Sequence, residues 1–193
     1  PKLATPTDGL VWLLGMLAIV EGVQHDRAAK GVAGIGLDMP VQAARGVACL
    51  SNELWWGVPN ALQAAVWTVV PGTAPEGKDP WNELEAAVHV GDKAGVRLAR
   101  AIQIQAAVGS GKNDLRDAAI VSFGKSKETF KESADWRTLD AVAVSQVQAA
   151  SDRLWTEAEG HRTPYGQLGN LPAASEPPPA EDEGDDLLDD LGA

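Results

Sequence analysis

The stretch GLVWLLGMLAIVEGVQHD, residues 9–26, constrains the fold of this chain more than any other. Gly9 to Val20 carry no charge, and Glu21 then interrupts the run. A bilayer crossing needs about 20 apolar residues, so the uncharged run alone is short for a span. An export signal needs a basic start and a small-residue cleavage site, whereas Lys2 is the only early base and AIVEGVQ offers no such site. The pattern predicts an N-terminal core helix, capped by Thr7 or Asp8 and stopped near Lys30 by Gly31. Between Leu10 and Val20 its apolar residues extend almost all the way round, as in a helix enclosed by partners.

The rest of the chain reads as further helices separated by glycine and proline. GVAGIG, residues 31–36, is a flexible turn before Asp38-Met39-Pro40, where an N-cap and a first-turn proline open a second helix reaching Trp56. A third helix starts near Asn60, with strand-like chemistry in its last residues, WTVV. PGTAPEGKDP, residues 71–80, is the clearest internal loop, and Asp79-Pro80 opens the next helix. A break at Gly91-Asp92 precedes a helix ending at GSG, residues 109–111, and another runs from Asn113-Asp114 through Ile120, with AIVSFG a candidate strand.

From Asp135 to about Gly160, Trp136, Leu139, Ala143, Val147, Ala150 and Leu154 recur at spacings of three and four. They form a packing stripe, with Arg137, Asp140, Gln148 and Asp152 turned away from it. The expected fold is all-α, a compact bundle of six or seven helices over residues 1–160. Residues 161–193, rich in proline, glycine and acids, are expected to be a disordered linker and acidic tail.

Charge divides the chain in the same place. Of the 27 acids, eight lie from Glu176 onward with no Lys or Arg among them, so the preceding residues hold 19 acids against 16 bases. The body is close to neutral and the tail supplies most of the net charge of -11. The single cysteine, Cys49, excludes an intramolecular disulfide framework and suits a reducing, cytoplasmic setting. Its apolar neighbours predict a small core residue.

Several motifs fail the chemistry they suggest. GSGKN at 109–113 lacks the glycine a phosphate loop needs at position 106 and the hydroxyl it needs at 113, so it reads as a helix stop. Glu21 with His25, and Glu85 with His89, each sit four apart on a helix face. Facing one another they would supply carboxylate and imidazole ligands for a divalent metal, but solvent-facing helix pairs are the favoured reading and no cofactor is expected. No Ser-His-acid or Cys-His arrangement points to catalysis.

Lys93, Arg97, Arg100, Lys112 and Arg116 form a basic stretch able to contact nucleic-acid phosphates, the second functional reading. The tail ends in DDLLDDLGA, where Leu187, Leu188 and Leu191 would share one helical turn with Asp186, Asp189 and Asp190 around them. That is the composition of a peptide that docks into a basic-rimmed apolar groove. Over about its last dozen residues the tail resembles the acidic termini of single-strand-binding proteins, without their aromatic final residue. The first functional reading is therefore a non-enzymatic helical interaction protein, an adaptor or assembly factor with no membrane partner. In this reading the tail recruits another protein, the body is able to form homo-oligomers, and Trp55-Trp56 are candidate anchors of a body interface. A metal-dependent enzyme is the third reading.

Overall fold

The computed structural model describes residues 3–173. Those residues form seven helices and no strand: α1 (Pro6–Ala28), α2 (Asp38–Val47), α3 (Val58–Val69), α4 (Pro80–Ala94), α5 (Leu98–Gly109), α6 (Asn113–Ser126) and α7 (Arg137–Glu159). The tail residues Asp186, Leu187, Leu188, Asp189, Asp190 and Leu191 lie outside the described residues.

The cap of α1 is Thr5, two or three residues before the position expected from sequence. Its hydroxyl accepts from the Asp8 amide at 3.2 Å, and the Asp8 carboxylate accepts from the Thr5 amide at 2.9 Å. Pro6 fits the first turn because its missing N–H would have no helical partner there. The helix then runs through Glu21, so Pro6–Arg27 spans 22 residues and holds an 18-residue window of mean hydropathy 1.4, long and apolar enough on those two criteria to cross a membrane. The length of the uncharged run therefore understates the length of the helix. Leu13, Leu17, Val20 and Val23 are buried against the other helices. The opposite side is open, with Val11 65% exposed.

The helix enclosed by partners is α5 instead. It packs on α1, α3, α4, α6 and α7. Leu98, Ala99, Ala101, Ile102, Ile104, Ala106 and Ala107 are buried around its circumference, and the frequent alanines let neighbouring helices approach closely.

Three further features differ from the sequence expectation, each for a local reason. The second helix stops at Val47, and Trp55 and Trp56 belong to a turn with Trp56 at φ 54 and Gly57 at φ 79. A Cβ on Gly57 would sit 2.1 Å from the Ala87 carbonyl oxygen, so only glycine lets α4 pass this close. The break after α4 falls at Gly95, φ 77, whereas Gly91 stays helical and buried. AIVSFG is helical to Ser126, because Ala119, Ile120 and Phe123 share one buried helix face. Asp79 does cap α4, accepting from the Trp81 and Asn82 amides at 3.0 and 2.9 Å.

GVAGIG is pinned. The buried carboxylate of Asp26 accepts from the Ala33 amide at 2.6 Å and the Ile35 amide at 2.9 Å. Residues 161–173, expected to belong to a disordered linker, form an arm packed on α6 and α7. Gly169 lies against Gly124, where an added Cβ would come within 2.3 Å of the Gly124 Cα. The Trp155 indole donates to the Asn170 carbonyl at 3.2 Å, the Lys127 ammonium donates to the Leu168 carbonyl, and the Thr163 hydroxyl meets Ser151 at 2.8 Å. The low hydrophobicity of the segment hid this, because backbone groups and glycine contacts hold the arm.

Candidate functional site

A groove of about 530 Å³ is walled by the last turns of α1 and by α7, with α5 and the start of α6 between them. At its base Val108, Ala150 and Leu154 are apolar. His25, Arg116 and Arg153 stand along it, with Glu157 as the acid of its lining. Arg153 is 67% exposed and donates to Glu157 at 2.8 Å, an i,i+4 pair on the surface of α7. The Arg116 guanidinium turns to Asp117 at 2.7 Å. Gln24 is buried on the α1 wall, and its Nε2 has no hydrogen-bond partner among the described residues. The Glu21 carboxylate accepts from Gln146 Nε2 at 2.7 Å and so links the two walls.

The groove opens where the chain turns. α5 ends at Gly109, and Asn113 begins α6 with no side-chain cap from Lys112. Asn113, the first residue of that turn, lines the groove, and the free amides of the turn favour negative charge. GSGKN thus separates two helices and brings the N-terminal end of α6 to the groove.

The basic stretch predicted from sequence is not one surface. Arg97 precedes α5, and its Nε and backbone amide donate to Asp140 Oδ1 at 3.0 and 2.9 Å, while its Nη2 pairs with Oδ2. Its guanidinium lies 4.0 Å from the Phe130 ring centroid and 5.0 Å from that of Phe123. Asp140, expected to face away from the packing stripe, is fully buried because it answers this arginine. Arg100 is also buried, donating to Asp92 at 2.6 Å and to Ser122 at 3.0 Å. Arg97 and Arg100 are thereby spent inside the body. Lys93 and Lys112 are exposed, and of the five basic residues Arg116 alone lines the groove.

Trp55 and Trp56 are 4% and 3% exposed, so they anchor the core and not a surface. Trp136 completes the cluster, 4.6 Å from Trp56 and 6.4 Å from Trp55 between ring centroids. Gly9 leaves room for the Trp55 ring beside α1.

The Glu/His pairs also part company. Glu85 and His89 are exposed and 3.5 Å apart on α4, whereas Glu21 is engaged by Gln146 and His25 lines the groove. α1 packs on α2, α3 and α5, and α4 on α3 and α5, which separates the two pairs. Among the described residues no group of three or more His, Cys, Asp and Glu side chains gathers as metal ligands.

Cys49 is exposed, its thiol 3.3 Å from the Gly46 carbonyl oxygen, because the helix it was expected to lie in has already ended. Beside the arm, Asp152 has its carboxyl held below the ordinary 3.8. Its partial burial raises the value, but hydrogen bonds from Gln148 and Thr163 together with the charge of Arg162 outweigh that.

Reading the sequence for motifs missed Arg153, Leu154 and Glu157 as wall residues. The signal was present, since Ala150, Leu154 and Glu157 repeat at helical spacing beside the buried stripe of Ala143, Val147 and Ser151. Compared with protein-family models, with curated proteins and with solved structures, the chain gives no match.

Proposed function

We propose that this chain is a helical interaction protein, of the adaptor or assembly-factor kind, that works by docking and recruits a partner protein through its acidic tail. The observation that carries the reading is the composition of the tail: three leucines within five residues, set among aspartates. A segment kept only for solubility has no need of leucines at helical spacing, while a peptide that lays an apolar face into a groove does. The arm at residues 161–173 adds support, because it gives the tail a fixed root beside α7. Pairing of the largely covered Arg97 with Asp140 and burial of Arg100 remove two of the five side chains on which phosphate binding would rest. A reducing, cytoplasmic compartment suits a single solvent-facing thiol.

The test is capture of partners from a native extract by the full chain, by the chain ending at residue 180, and by Leu187→Asp/Leu188→Asp/Leu191→Asp. The reading expects proteins that the full chain retains and both variants lose. Identical capture by all three removes it.

A further inference from the structure

We infer that the groove between α1 and α7 is the resting seat of the chain's own tail, with Leu187, Leu188 and Leu191 on its apolar base and the aspartates toward its basic rim. The inference deepens the proposed function and rests on the tail being a docking peptide. It adds that a partner must displace the tail from the body.

Charge selects the occupant. Near a body of almost balanced charge, the groove is lined by His25, Arg116 and Arg153 with Glu157 as its acid, Arg116 also meeting Asp117, and Asn113 brings the uncapped first turn of α6 to it. Those groups favour an acidic segment over a basic one. Its base is apolar at Val108, Ala150 and Leu154, which matches leucine, and its volume lies within the range of sites that enclose ligand groups. Glu21 and Gln146 bridge the walls with a hydrogen bond, whereas the lining at Ala29 and Glu157 reaches the helix ends. A segment arriving from the C-terminal end of α7 meets that open side.

The path of the chain makes this arrival short. The Ala173 amide donates to Glu159 at 3.0 Å, two residues on from Glu157 of the groove wall. Residues 174–186 separate that point from Leu187, and fully extended they reach about 45 Å, several times the width of a helix. A tether of this length holds the tail at a millimolar effective concentration, so even weak complementarity fills the groove.

The test uses the whole chain, isotope-labelled, with Cys49→Ser and a nitroxide on Gly192→Cys. If docking is about half populated at millimolar effective concentration, the amide signals of Val108, Asn113, Ala149 and Ala150 fall at least about two-fold, and those of Leu62 and Leu84 hold. The loss is unchanged on ten-fold dilution and vanishes in Leu187→Asp/Leu188→Asp/Leu191→Asp. It weakens in Arg153→Glu, a change at a largely exposed residue, and returns when Asp186, Asp189 and Asp190 are also changed to Lys. No loss, or loss spread evenly over the body, overturns the inference. Loss that appears only as concentration rises overturns it too, because the seat then takes the tail of a second copy. Partner capture that needs the three leucines while the groove amides stay sharp leaves the proposed function standing and removes only the resting seat.

Discussion

Arg97 and Asp140 stand 43 residues apart in sequence and meet through two side-chain contacts and a backbone amide, the amide and Nε both on Oδ1 at 2.9 and 3.0 Å. Asp140 thereby joins the start of α5 to α7, and the rings of Phe123 and Phe130 bring α6 and the chain after it onto the same guanidinium. Asp140→Ala leaves a desolvated cation, and we expect it to cost about 3–5 kcal/mol, seen as a lower urea midpoint at neutral pH. Arg97→Met/Asp140→Leu should recover much of that loss. An Asp140→Ala midpoint equal to the parent's would show that water reaches the arginine.

Gly57 and Gly15 should respond in opposite directions to the same substitution. A methyl at Gly57 meets the Ala87 oxygen at a backbone conformation that suits glycine alone, so Gly57→Ala should lose about 1–3 kcal/mol. Gly15 lies mid-helix in open space, and Gly15→Ala should gain about 0.5–1 kcal/mol. In a chain of this size those changes shift the melting temperature by about 2–4 °C per kcal/mol.

Cys49 should react stoichiometrically with Ellman's reagent in the native protein at neutral pH, as expected of an exposed thiol. A reaction that waits for denaturant would place the thiol inside.

Acid should loosen the arm. The Asp152 carboxyl is held below 3.8, so its contribution is present above that pH and is lost as pH falls through the lower, folded value. Amide exchange at Thr163, whose N–H donates to Asp152 at 3.2 Å, should quicken across that fall relative to the intrinsic rate. In Asp152→Asn the pH dependence should flatten.

The sequence made helices legible where caps and periodicity act locally. Asp79-Pro80 opens α4 as expected, and the buried Ala143 and Val147 follow the predicted stripe of α7. It misled where a distant partner decides. Asp140 looks like a surface acid until Arg97 is placed against it, and Trp55-Trp56 look like anchors until Trp136 closes over them. The candidate groove was least legible, because no local pattern states that α1 and α7 stand apart over α5.

The contact between Gly124 and Gly169 sets how this molecule would bear a load. A partner pulling on the tail pulls first on the arm, whose backbone lies along α6 and is fastened at Leu168, Asn170 and Ala173. Tension then falls first on the Ala173–Glu159 bond at the last turn of α7, and next on the bonds that the Asn170 and Leu168 carbonyls accept from Trp155 and Lys127, so that it is divided between two helices. Gly124→Val should push the arm off α6, so that the same pull falls on α7 alone.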